Sequence, residues 1–259
     1  MRILRVLADG HRRRQEALSR VLRTEYLTAW ARYQAAAPGP ETERAWSATV
    51  ALMIHKYGRA SAEVAADYYT EARQTAQAKG TFTVPVADPP PLAQVTASRK
   101  AVRKSAAPRP GDDDAQATER WRITQRDRDL AAVQRLAAQA GRRTIEKAAR
   151  ADPAAVGWVR VTGGNCCAFC AILAMRGLVY ADRESAVRTG SGDSYHDRCA
   201  CTPEPVFRGR PSDDEPQVAE WEELYYAASH GAYGTEKLRA FRRAFDAKYG
   251  GRHARGAST

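Results

Sequence analysis

All five cysteines of this chain lie between positions 166 and 201, and that confinement restricts the fold more than any other feature of the sequence. Cys167-Ala168-Phe169-Cys170 is a C-x-x-C, and His196-Asp197-Arg198-Cys199-Ala200-Cys201 is an H-x-x-C-x-C. Two local pairs of soft donors, each biting an ion from one element, are what tetrahedral zinc requires. Asn165 is placed to cap a helix over Cys166 to Arg176, with Gly177 suited to its C-terminal end. Cys167 and Cys170 then lie one turn apart, and the positive end of the helix favours thiolates. Cys199 and Cys201 alternate along an extended loop and share a side. The expected ligands are Cys167, Cys170 and His196, completed by Cys199 or Cys201. Cys166 points to another side of the helix and is the spare. Buried thiols, or a disulfide formed outside a reducing compartment, are the competing reading.

Around this module the sequence is helical. Leu18, Val21, Leu22, Tyr26, Ala29, Trp30 and Tyr33 recur at three- and four-residue steps, and so do Trp46, Val50, Met53, Tyr57, Val64 and Tyr68. Pro38-Gly39-Pro40 separates them, which predicts an antiparallel hairpin of two long helices, the second reaching Ala78. Residues 80–114 carry six prolines and a basic cluster, show no apolar period, and read as an extended or mobile linker. A third long helix is expected from Ala115 to Arg150, with Pro153 after it as a stop. Val156 to Val161 alternates like a strand, Leu178 to Tyr180 like a returning one, and Thr202 to Phe207 like a last short one, with a glycine-rich loop at Thr189 to Asp193. Two helices, around Val218 to Ser229 and Thr235 to Tyr249, close the chain. The predicted class is α+β, predominantly α. The expected division is a hairpin over 1–79, the linker over 80–114, a long helix over 115–152, the Cys/His module over 153–210 and basic helices over 211–259.

The formal charge is +11, and the excess sits in blocks: Arg12, Arg13 and Arg14; Arg99, Lys100, Arg103 and Lys104; Arg239, Arg242 and Arg243. Such blocks attract double-stranded DNA through counterion release without sequence preference. Solvated helix faces are the plainer reading of the same residues. No apolar run approaches the roughly 20 residues of a membrane span, and Met1 to Gly10 is too short for a signal peptide. The expectation is a protein made in a reducing cytoplasm.

Gly164-Asn165-Cys166-Cys167-Ala168-Phe169-Cys170-Ala171-Ile172-Leu173-Ala174-Met175-Arg176-Gly177-Leu178-Val179-Tyr180, then His196 to Cys201 and Pro205-Val206-Phe207, resembles the MuF-like minor head proteins of tailed phages, in the form found in actinobacteriophages. Ala66-Asp67-Tyr68-Tyr69 to Arg73 is a weaker echo. The resemblance implies a virion protein of the capsid interior or portal vertex, assembled in the host cytoplasm. It also implies portal, major capsid or scaffold partners, and a role in head assembly and DNA packaging or delivery. Ala200 departs from the arginine common at that place in the wider family.

Three enzymatic readings compete with a structural one. A capsid maturation protease would use Cys167 or Cys170 as nucleophile and His196 as base, with Asp193 or Asp197 orienting the ring. Clustered cysteines argue for ligation instead, and no G-x-S-x-G elbow offers a serine. A zinc deaminase needs H-x-E before P-C-x-x-C, and here the order is reversed with no glutamate beside His196. ADP-ribosyl transfer from Glu220-Trp221-Glu222 with Arg160 is thinner, because Trp221, Leu224 and Tyr225 read as the apolar side of a helix.

Overall fold

A computed structural model describes residues 2–105, 115–163, 166–177, 195–208 and 216–250. Among these, α1 (Arg2–Ala35), α2 (Pro40–Thr75), α3 (Leu92–Ser105), α4 (Ala115–Ala151), α5 (Ala168–Ala174), α6 (Pro216–Ser229) and α7 (Thr235–Tyr249) are helices, and β1 (Ala155–Val161) and β2 (Thr202–Phe207) are strands. The class is α+β and predominantly α, as the periodicity predicts.

The α1–α2 hairpin turns at Pro38 to Pro40. Pro40 opens α2, where its missing N–H is no loss, and Glu41 and Glu43 occupy the first turn near the positive dipole end. Tyr26, Trp30, Tyr33 and Trp46 pack there with centroids 5.0 to 6.3 Å apart, and Tyr33 donates its hydroxyl to Glu43. Each fully buried side chain of this size contributes about 1.5–3 kcal/mol. The stripe continues through Leu22, Val50, Met53 and Ile54 onto Leu130, Val133 and Leu136 of α4.

α2 and α4 come close at one point. A Cβ added to Gly141 would stand 2.3 Å from Ser61 Oγ and 2.7 Å from Ser61 O, so glycine there is a packing requirement. Farther along, Tyr68, Tyr69 and Ala72 join Ile145, Ala148, Trp158 and Phe207 in a second core. Arg73 ties this end together. Its Nε donates to Asp152 Oδ2 at 2.8 Å, Tyr69 donates to the same oxygen at 3.3 Å, and the rest of the guanidinium donates to the carbonyls of Ala78, Lys79 and Gly80. The Tyr68-Tyr69 to Arg73 segment thus joins the ends of two long helices. α2 stops at Thr75 rather than Ala78: Gln77 takes a left-handed φ of 54°, and the carbonyls of Ala78, Lys79 and Gly80 that follow are turned onto Arg73.

The linker expectation is corrected over most of its described length. Residues around Pro85 to Pro91 are extended but packed: Ala87 is buried and donates its N–H to Thr144 Oγ1 at 2.9 Å. From Leu92 the chain becomes α3, which lies against α4. Its buried positions are Val95 and Arg99, and Arg99 donates twice to Asp129, at 3.0 and 3.1 Å. A helix anchored by one valine and an ion pair leaves no apolar stripe to read. Residues 106–114 lie outside the described part.

β1 and β2 pair antiparallel, Val161 opposite Thr202 and Ala155 opposite Phe207, with a bulge between Ala155 and Gly157. Gly157 has φ 146°, a region glycine enters freely. A two-stranded ribbon is marginal alone, and this one rests on α4. The expected strand at Leu178 to Tyr180, the loop at Thr189 to Asp193 and the capping Asn165 fall outside the described residues. α5 packs on Trp221, Phe241 and Phe245 of α6 and α7.

Candidate metal centre

α5 begins two residues later than its sequence pattern predicts. Cys167 is its N-cap in extended backbone, φ −88° and ψ 165°, and Cys170 lies inside the first turn. The second set of donors comes from the loop that runs into β2. Its turn is closed by the Cys199 N–H donating to His196 O at 3.1 Å and requires Arg198 at φ 64°. α4 fixes the loop from outside: Arg142 donates to Cys199 O at 2.5 Å and to Cys201 O at 3.2 Å, while Arg135 pairs with Asp197 at 2.7 Å.

These supports bring the two halves of the motif into contact. His196 Nε2 stands 3.1 Å from Cys167 Sγ and 3.2 Å from Cys170 Sγ, and Cys170 Sγ stands 3.6 Å from Cys199 Sγ. Zinc–sulfur bonds of about 2.3 Å in a tetrahedron place ligand sulfurs about 3.8 Å apart, close to the last of these. Two donor triads result, Cys167–Cys170–His196 and Cys170–Cys199–Cys201, each with its ligand atoms within 4.8 Å of one another. They share Cys170. Cys166 belongs to neither and packs beside α6 and α7 as well as beside the other thiols.

The tautomer of His196 also suits ligation. Its Nδ1 lies 2.6 Å from the Asp197 carbonyl, which only accepts, so Nδ1 carries a proton and Nε2, which faces the sulfurs, is the nitrogen that would ligate once deprotonated. Metal-binding histidines are commonly oriented through such a bond to the second nitrogen. Without an ion the charges are strained. Hydrogen bonding with the Cys170 thiol is the largest influence holding Cys167 down to about 4 and Cys199 well below the usual thiol range. Cys170 itself is driven up by those same bonds. Cys201 is drawn down by Cys170, but Cys199 and burial outweigh that and push it up to about 12. The Cys167 contact lifts His196 to about 9. A dication would satisfy this crowd of anions and favour neutral His196.

Asp197, an expected orienting group for a catalytic ring, places its carboxylate on Arg135 rather than on His196. Asp193 lies outside the described residues. Glu220 pairs with Lys248 at 2.7 Å and Trp221 is buried, the ordinary two sides of a helix. Arg160 is buried with its guanidinium 4.0 Å from the Tyr195 ring centroid, and Arg142 lies 4.1 Å from the same centroid. Arg176 is exposed beyond the last turn of α5, next to Gly177 at φ 55°.

Among the described residues, most cations of the basic blocks are paired with acids. Arg12 pairs with Asp9 at 2.8 Å, Arg14 with Glu71 at 3.5 Å, and Arg13 is exposed. Arg239 and Arg243 both reach Glu236, and Arg242 reaches Asp246. Arg99 is buried on Asp129, which removes it from any surface contact with DNA. Lys100 is exposed, and the side chains of Arg103 and Lys104 lie outside the described set. The guanidiniums that do converge are Arg12, Arg135, Arg142 and Arg198, around a cleft beside the thiols. Sequence reasoning missed that grouping, although Arg135 and Arg142, seven apart on α4, share a helical face.

Residues 2–228 match the model of a family described as VG15 protein. No curated protein and no solved structure shows significant similarity to the chain.

Proposed function

The chain belongs to the VG15 protein family, and from that premise we propose that it is a structural protein of a tailed-phage head whose Cys/His module is held by one zinc ion. The family points to a phage-encoded protein, and the MuF-like resemblance over the module adds the head. No described helix is long and apolar enough to cross a membrane, which agrees with a place in the capsid interior or at the portal vertex.

One observation carries the structural reading over the enzymatic one: the His196 ring turns its Nε2 onto two thiols and its Nδ1 onto a backbone carbonyl. A cysteine protease needs one activated thiol with its sulfur free to attack, whereas here the ring meets two thiols of a four-sulfur cluster. Cys167, Cys170 and His196 supply three ligands. Cys199 completes the set after a side-chain rotation, since no four donors among the described residues stand within 4.8 Å of one another. The portal, capsid and scaffold proteins are the expected neighbours, and DNA is met through exposed Arg13, Lys100 and the outer face of α7.

Quantitative mass spectrometry of purified particles of the encoding phage tests the role. A few copies per particle are expected, and absence from particles rules the reading out. Metal analysis of the reduced protein tests the centre, with one zinc per chain expected. Turnover of a peptide substrate that is lost in Cys167→Ser would favour the protease instead.

A further inference from the structure

Beside the candidate metal centre, α1, α4 and the His196–Cys201 loop enclose a cleft of about 280 Å³. Arg12 enters it from α1, Arg135 and Arg142 from α4, and Arg198 from the loop, while Glu16 is the only carboxylate among its described lining residues. Three of these cations have other commitments: Arg12 to Asp9 and Glu16, Arg135 to Asp197, Arg142 to the Cys199 and Cys201 carbonyls. Arg198 is exposed and makes no ion pair among the described residues. It stands at φ 64°, where glycine would sit more easily, so the turn carries a guanidinium at a conformational cost.

A second, independent feature lies in the same cleft. Ser61 Oγ donates to Gln15 Oε1 at 2.7 Å, and Gln15 Nε2 donates to Ser61 O at 2.9 Å, which fixes the amide's orientation. The amide nitrogen also meets His11 Nε2 at 3.2 Å. An amide nitrogen only donates, so His11 Nε2 accepts and the ring proton is on Nδ1. His11 is 2% exposed, is stacked on Tyr68, and lines the cleft. Its Nδ1 is buried with no hydrogen-bond partner among the described residues. Burial, and then Arg14, push this histidine down to about 3, so it is a neutral donor at working pH. A buried N–H without an acceptor is costly, and it belongs to a residue of the cleft wall.

We infer that this cleft binds a phosphate oxyanion, clamped by Arg198 and Arg12 with Arg135 and Arg142 behind them and neutral His11 in the wall. Phosphate carries the charge and the several acceptor oxygens that donors arriving from three elements can share. Its source is either free phosphate or a backbone phosphate of nucleic acid. The inference leans on the zinc reading in one respect only, that an ion on His196 and Cys199 would hold the turn bearing Arg198.

The test is calorimetric titration of inorganic phosphate into the full-length, zinc-loaded protein at low ionic strength, with metal content measured on every sample. The wild type should bind and gain thermal stability. Arg198→Gly should weaken binding about tenfold or more, while its metal content is unchanged and its Tm without phosphate is equal or higher, because glycine accepts the left-handed turn. Arg12→Ala should also weaken binding. Arg239→Ala, which removes a cation from α7 outside the cleft, should bind like the wild type. A short DNA duplex that competes with inorganic phosphate identifies a nucleic-acid source, and a duplex that leaves phosphate binding untouched identifies free phosphate. Absence of binding by the wild type, or equal losses in Arg198→Gly and Arg239→Ala, overturns the inference. A chain that lacks zinc yet binds phosphate through Arg198 leaves the cleft standing and removes only the metal reading.

Discussion

The helical body of α1, α2 and α4 and the module of α5, β1, β2 and the His196–Cys201 loop sit against each other but are held by different physics. The body buries two runs of aromatic and aliphatic side chains along helices of 34, 36 and 37 residues. The module has a seven-residue helix, a two-stranded ribbon and a knot of sulfurs with one imidazole. The body's cohesion is spread over many contacts, each replaceable at modest cost. The module borrows apolar contacts from its neighbours, Trp158 and Phe207 from the helical core and α5 from α6 and α7. On the proposed zinc reading the rest of its cohesion would be concentrated in a few atoms whose bonding is all or none. A chain can therefore keep its bulk structure and still lose the part that carries its chemistry.

Stripping the ion is the strongest way to break the comparison. Chelation, or Cys170→Ser, should remove on the order of 10 kcal/mol of binding free energy from the module. Hydrogen exchange should then rise in β1, β2 and α5, while α1, α2 and the first half of α4 stay protected. Uniform loss of protection would mean that body and module are one cooperative unit.

Within the body, Arg73→Ala leaves Asp152, whose side chain is fully buried, as a charge without its partner. The expected cost is about 3–5 kcal/mol, read as a fall in the chemical denaturation midpoint with zinc content unchanged. The double variant with Asp152→Asn should recover part of that loss.

Gly141→Ala tests the close approach of α2 and α4. The added methyl meets Ser61 Oγ and its carbonyl, so overpacking should cost about 1–3 kcal/mol even though alanine is the better helix former. A stabilised variant would show that the helices can separate there freely. Cys166→Ser should have the smallest effect, within about 0.5 kcal/mol and with full metal content, because Cys166 stands outside both donor triads. Loss of zinc in that variant would redraw the ligand set.

The sequence made the long helices legible because their buried faces are wide and apolar: Leu22, Tyr26, Trp30, Val50 and Ile54 announce themselves. The clustering of donors was legible for a different reason, since the spacing of Cys167, Cys170, His196, Cys199 and Cys201, which the structure brings into two triads, is itself chemical information. α3 was hidden because its inward residues are Val95 and Arg99, and a buried arginine reads as a surface charge until Asp129 is seen beside it. The cleft was hidden because Arg12, Arg142 and Arg198 are remote in sequence and only tertiary packing assembles them. The end of α2 shifted because Gln77 turns left-handed and Arg73 holds the carbonyls that follow, which no periodicity announces.

The pairing of Ala155 with Phe207 has a consequence for the order of assembly. The α1–α2 hairpin closes over the few residues between Ala35 and Pro40, a short loop that nucleates quickly. The ribbon must wait until its second strand has been synthesised and brought back across a long intervening segment, which slows its closure. During translation the helical body is complete and α4 is already available as a template before β2 leaves the ribosome. On the proposed zinc reading, ion capture would then be the last step, a seal placed on a scaffold that has finished folding.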